Sequence, residues 1–103
     1  MVNDRRQLKR EPIFLDVLWE GSGGKHEART SDISLGGCFV DTIGQVAVGE
    51  TITLKLCLPT GEWIELQGEV RYELPRFGFG VSFLSLSVEN QKKLFALIKT
   101  PNE

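Results

Sequence analysis

The chain has 103 residues, of which 41% are hydrophobic and 25% charged, with a net charge of −2. That length fits one domain with a single core, and the weak negative charge excludes binding to nucleic acid or an anionic membrane through a global positive field. One histidine and the two cysteines, Cys38 and Cys57, cannot supply a spaced zinc site, and no apolar run reaches the roughly 18 residues of a membrane-spanning helix.

Residues 1–11 are polar and basic without apolar periodicity, and predict a flexible arm. Four of the twelve Lys and Arg residues, Arg5, Arg6, Lys9 and Arg10, lie there. A cluster of that kind on a mildly acidic chain suggests a local site, not a polyanion-binding face. No apolar run follows closely enough to make a signal peptide, so the chain reads as cytoplasmic.

Pro12 opens the first predicted strand, where Ile13, Leu15, Val17 and Trp19 alternate with Phe14, Asp16, Leu18 and Glu20. Gly21-Ser22-Gly23-Gly24 reads as a turn. A more polar strand runs from Lys25 to Ile33, is broken by Leu35 to Gly37, and resumes as the short β-prone Cys38-Phe39-Val40. Thr42 to Gln45 reads as a loop. Ile52, Leu54, Leu56 and Leu58 then alternate cleanly with polar neighbours, Pro59-Thr60-Gly61 turns the chain, and Ile64, Leu66, Gly68, Val70, Tyr72 and Leu74 line one face opposite Glu65, Gln67, Glu69, Arg71 and Glu73. These two strands predict a hairpin. In Phe77-Gly78-Phe79-Gly80-Val81-Ser82-Phe83 the odd positions are all apolar, and the outward glycines leave room for another backbone or a ligand. The final element changes period: Val88, Gln91, Leu94, Phe95 and Ile98 follow helical spacing, Ser87 is placed to cap, and Pro101 ends the helix. The two cysteines fall in strand-like runs and read as core or surface residues, not as a disulfide. Six short antiparallel strands and one helix imply a small barrel or sandwich with the helix covering an opening: arm 1–11, β-barrel 12–86, helix 87–99.

No catalytic constellation emerges, and the chain does not read as an enzyme. On an extended strand His26 lies roughly 26 Å from Ser34, which excludes a Ser/His/Asp triad with Asp32. Glu65, Glu69 and Glu73 form a solvated row on one strand face. No glycine loop leads into a helix to hold phosphate. The aromatic residues fall on apolar faces, which disfavours a single-stranded nucleic-acid barrel.

Two stretches hold the chemistry. Arg6 and Arg10 project to one side of a helical turn or converge in a loop, and guanidinium pairs with phosphate, reads guanine O6 and N7, and stacks on bases. Alone, the stretch is also compatible with a solvated basic tail. Asp32 and Ser34, two apart, share a strand face; a carboxylate accepts from guanine N1–H and N2–H, and Gly37 removes a side chain beside them. Alone, that hexapeptide reads first as a strand end with an Asx or Ser turn.

Together, Arg6-x-x-x-Arg10 preceded by Arg5, and Asp32-x-Ser34-x-x-Gly37 about 20 residues later, resemble the PilZ domain, a bacterial receptor module for cyclic di-GMP. Gly68-Glu69-Val70-Arg71-Tyr72 and Gly78 to Phe83 resemble its late strands. The resemblance implies a six-stranded antiparallel β-barrel with a C-terminal α-helix, and an N-terminal arm that folds over a nucleotide on the barrel surface. It implies that Arg6 and Arg10 bind phosphates and guanine, that Asp32 and Ser34 hold the guanine edge, and that Gly37 gives room. Arg5 in place of a bulky apolar residue implies two stacked ligand molecules. Tyr72 takes the place of a base-stacking tryptophan; it is either that contact or a core tyrosine. No cofactor or metal is implied, and no nucleic-acid or membrane partner. The expected partner is an effector protein acted on in trans, the alternative being a ligand-independent adaptor.

Overall fold

The computed structural model describes residues 13–98. Six strands and a helix follow in order: β1 (Leu15–Gly21), β2 (Gly24–Ile33), β3 (Gly37–Asp41), β4 (Thr51–Cys57), β5 (Trp63–Leu74), β6 (Gly78–Leu84) and α1 (Val88–Ile98). The sheet closes on itself in the order β1-β2-β3-β6-β5-β4, every pair antiparallel. A mainly β chain with a closed six-stranded barrel and one C-terminal helix was therefore legible from the sequence. The basic stretch with Arg5, Arg6 and Arg10 lies outside the described residues, as does Pro101.

Alternation explains where the core sits. Leu15, Val17 and Trp19 of β1, Ile52, Leu54 and Leu56 of β4, and Ile64, Leu66 and Val70 of β5 all point inward and are buried. Trp19 packs its ring 4.4 Å from His26, its cross-strand partner, and meets Phe79 edge-on at 5.0 Å. Leu94 of α1 is wholly buried in the same cluster, with Leu97 and Ile98 packed beside it, so the helix docks by that side. Val88 and Phe95, expected on the docking face, are exposed at 68% and 52%. Ser87 caps the helix as its type predicts, its Oγ accepting from the Asn90 N–H at 3.0 Å. Both cysteines are free thiols, Cys38 in the core and Cys57 half-buried.

Two β-bulges break the alternation. One lies between Thr30 and Asp32 of β2, and the other between Val70 and Tyr72 of β5. An extra residue reverses the facing of everything beyond it. Thr30 and Val70 are fully buried, and two residues further an undisturbed strand would point inward again. With Ser31 and Arg71 inserted, Asp32 and Tyr72 turn outward instead. The expectation that Tyr72 and Leu74 continue the apolar face of β5 is thus overturned, since they are 44% and 48% exposed. Glu73 likewise leaves the row of Glu65 and Glu69, falling opposite the inward Phe79. Phe77 precedes β6 in the turn closed by its N–H donating to the Leu74 carbonyl, and is 72% exposed, not part of the apolar face of β6.

Candidate functional site

The consequence of the two bulges is one row of residues across four strands on the outer wall. Asp32 of β2 faces Phe39 of β3, Phe39 faces Gly80 of β6, and Gly80 faces Tyr72 of β5. Two residues that the sequence singled out, Asp32 and Tyr72, are brought together in this way although 40 positions separate them. Three inter-strand spacings, about 14 Å, lie between the strands that carry them.

Glycine makes the middle of the row low. A Cβ at Gly80 would come within 2.5 Å of the Tyr72 ring, and one at Gly78 within 2.8 Å of the Phe39 ring. Each ring therefore lies over a glycine of β6. The rings are 6.1 Å apart between centroids and inclined by 29°, in the range of offset aromatic pairs. Large rings laid over bare strand glycines restore the packing the glycines forgo. The space expected over these glycines is thus filled by the protein's own aromatic side chains, which form a flat shelf with Asp32 at one end. Tyr72 is a surface residue, not a core one. Phe39 was missed by sequence reasoning; its signal was an aromatic placed to cross over the glycines of Gly78-Phe79-Gly80.

Ser34 and Gly37 are placed differently from Asp32. Ile33 and Ser34 are both buried, so the strand pattern ends there and Ser34 does not share the face of Asp32. Its hydroxyl closes the turn, accepting from the Gly36 N–H at 3.2 Å and donating to the Gly37 carbonyl at 3.4 Å, while the Ser34 N–H donates to that carbonyl at 2.8 Å. This is a Ser turn of the kind the hexapeptide also allowed. Gly37 is bare for an internal reason: a Cβ there would run into the Val81 carbonyl oxygen of the neighbouring strand.

The chain enters the barrel close to this row. Thr30, two residues before Asp32, donates its hydroxyl to the Ile13 carbonyl and accepts from the Leu15 N–H, both at 3.1 Å. Ile13 is the first described residue, and Arg10 precedes it by three positions in the sequence.

Elsewhere the wall is less distinctive. A cleft of about 330 Å³ on β1, β2 and β4 is lined by Leu18, Glu20, Lys25, Glu27, Thr53 and Lys55 among others, with Glu20 directly opposite Lys25. Alternating signs of this kind are a solvated face. His26 sits near the start of β2 against Trp19 and Ser34 beyond its end, so no triad forms. Among the described residues no group of three His, Cys, Asp or Glu side chains could hold a metal ion, and no helix is long and apolar enough to cross a membrane.

These features define a class: a small antiparallel barrel whose candidate recognition surface is its outer wall. The chain belongs to the PilZ domain family, whose model matches residues 4–100. No curated protein matches the sequence. Among solved structures it is similar to the Bacillus subtilis inhibitor of motility, MotI/DgrA, at 24% identity and a TM-score of 0.71, over 87% of this chain and 47% of that one. It is also similar to the PilZ domain of CeSA from a cellulose-synthesizing bacterium, at 17% identity and a TM-score of 0.66, over 86% and 93% of the two chains. A third similar structure is Borreliella burgdorferi PlzA in complex with c-di-GMP, at 17% identity and a TM-score of 0.60, over 96% and 38%. These likenesses show the shared barrel.

Proposed function

We propose that the protein is a bacterial receptor for cyclic di-GMP that acts in trans as an adaptor. The observation that carries this reading is the outer row of Asp32, Phe39, Gly80 and Tyr72, with Ile13, which follows Arg5, Arg6 and Arg10 in the sequence, hydrogen-bonded to Thr30 near one end of it. Family membership and the ligand of PlzA support the choice of nucleotide.

The roles follow from donor and acceptor chemistry. The Asp32 carboxylate accepts from a guanine edge, and the Phe39–Tyr72 shelf offers a face on which a base stacks. Arg6 and Arg10 pair with the phosphates through their two-pronged donor forks, and Arg5 adds the charge that suits a second stacked ligand molecule. Ser34 and Gly37 act by holding the turn that follows Asp32. Ligand offsets the mutual repulsion of the basic stretch and draws it onto the wall, which changes the surface offered to an effector protein in the cytoplasm. The protein performs no reaction of its own.

A second reading is a ligand-independent adaptor. It is favoured by Ser34 and Gly37 both serving the fold. Titration calorimetry with cyclic di-GMP separates the two. Wild-type protein is expected to bind, and Arg10→Ala and Asp32→Ala each to weaken binding by about 10- to 100-fold, the worth of a charge-assisted hydrogen bond. Binding that survives both substitutions places the site elsewhere, and no binding by wild-type protein favours the adaptor.

A further inference from the structure

Beside Asp32, the outer wall of β2 holds one more group able to recognise a base. Thr30 points into the barrel and is wholly buried, so Arg29 before it points out and is exposed. The insertion at Ser31 makes Asp32 the next outward residue on the strand. A cation and a carboxylate thus stand at successive outward positions, about 7 Å apart along β2. Arg29 lies opposite Asp16 of β1 and Asp41 of β3, which alone would read as a row of solvated cross-strand charges. The ion pairs among the described residues, however, are those of Lys93 with Glu62 and Glu89, so neither carboxylate holds the guanidinium. Its third neighbour is the shelf. Phe39 faces Asp32 and Asp41 faces Arg29, which sets Arg29 diagonal to the Phe39 ring, within reach of a long side chain.

We propose that Arg29 is a specificity-determining residue of this site, its guanidinium donating to O6 and N7 of a guanine whose N1–H and N2–H are held by Asp32. This rests on the receptor reading above. Guanine presents N2–H, N1–H, O6 and N7 in that order round one side of the base, two donors and then two acceptors. A base stacked on the Phe39–Tyr72 shelf turns that side toward β2. There an acceptor, Asp32, is followed along the strand by a fork of donors, Arg29. Only one orientation of the base satisfies both. On the other side of Asp32 the chain runs into buried Ile33 and Ser34, whose hydroxyl is engaged in the turn, so the strand supplies no donor side chain to O6 and N7 turned that way. Adenine in the same place brings an amino group to the donors of Arg29 and a bare ring nitrogen to the acceptor Asp32, and both residues reject it.

The test titrates wild type and Arg29→Ala calorimetrically with cyclic di-GMP, with its 7-deazaguanine analogue, which lacks N7, and with its hypoxanthine analogue, which lacks N2–H. Arg29 is exposed, so its truncation opens no cavity in the barrel. Arg29→Ala is expected to weaken cyclic di-GMP binding about 5- to 150-fold, the worth of a bidentate arginine–guanine pair. Wild type is expected to bind the 7-deaza analogue at least about fivefold more weakly than cyclic di-GMP, one charge-assisted hydrogen bond being lost. Arg29→Ala is expected to bind those two ligands alike, yet to keep the wild-type preference for cyclic di-GMP over the hypoxanthine analogue, which Asp32 reads. The assignment of Arg29 alone is overturned by any of four results: unaltered binding of cyclic di-GMP by Arg29→Ala, equal binding of cyclic di-GMP and the 7-deaza analogue by wild type, a 7-deaza penalty that persists in Arg29→Ala (the mark of a phosphate contact), or a hypoxanthine penalty that vanishes with it. Failure of wild type to bind cyclic di-GMP overturns the receptor reading, and the role of Arg29 with it.

Discussion

Gly80→Ala isolates the aromatic shelf from the barrel beneath it. The added Cβ would stand 2.5 Å from two Tyr72 ring carbons and 2.8 Å from the phenol oxygen, against the 3.5–4.0 Å of an ordinary carbon contact. What it meets is a side chain that is 44% exposed and has solvent to move into. The ring swings off the shelf and the strands stay paired. The stability cost is that of the Phe39–Tyr72 pair, about 0.5–1.5 kcal/mol, or a fall in Tm of about 4–8 °C per kcal/mol for a domain of this size. The cost in cyclic di-GMP affinity is larger, because base–aromatic stacking is worth about 1–3 kcal/mol, which corresponds to about 5- to 150-fold. Gly78→Ala is the contrast. There φ is +147° and the new Cβ runs into the Val40 carbonyl oxygen, so backbone must move, and the backbone conformation alone costs about 1–3 kcal/mol. Urea denaturation and calorimetric titration on the same samples read both effects. Gly80→Ala should fold, bind weakly, and show no further loss when combined with Tyr72→Ala. A Gly80→Ala protein that binds within about twofold of wild type would refute base stacking on the shelf, and one that fails to fold would refute the picture of a yielding ring.

Two further outcomes concern the scaffold. Leu94→Ala should cost about 2–5 kcal/mol in urea denaturation, since Leu94 is the wholly buried residue that holds α1 on the barrel; a loss under about 1 kcal/mol would mean the helix is not docked through it. Glu50 accepts from the Ser22 and Ala47 N–H groups at 2.5 and 2.9 Å, joining the β1–β2 turn to the loop before β4, and these bonds hold its pKa below the ordinary glutamate value of 4.5. A depressed folded pKa contributes stability that is complete above the unfolded value and is lost as pH falls from about 4.5 through the folded value. Acidification should therefore lower the urea midpoint of wild type more than that of Glu50→Gln, and equal slopes would count against the joint.

Much of the fold was written in simple periodicity. The alternation in β1 and β4 assigned their inward faces correctly, and the change of period at Ser87 located α1. What periodicity cannot register is a single inserted residue. Tyr72 and Leu74 suit an apolar face as well as an exposed aromatic one, so nothing in their chemistry announced the reversal at Arg71. The same holds at Ser31, where Asp32 and Ser34 were expected on one face, and the bulge together with the Ser turn parted them. The candidate site depends on these two interruptions, so the features that make it are the ones that strict alternation hides. The docking side of α1 was misplaced for a related reason: Val88 and Phe95 fit a helical repeat, yet only one turn near Leu94 reaches the core.

Closure of the sheet restricts how a partner can attach. Each of the six strands is bonded to both neighbours over part of its length, so around the closed girdle of the barrel, among the described residues, the backbone donors and acceptors are already paired and an incoming peptide cannot add there as a further strand. Recognition on that girdle is then written in side chains. A partner that reads this wall therefore reads residue identity, and its specificity can drift by point substitution while the hydrogen-bonded frame stays as it is.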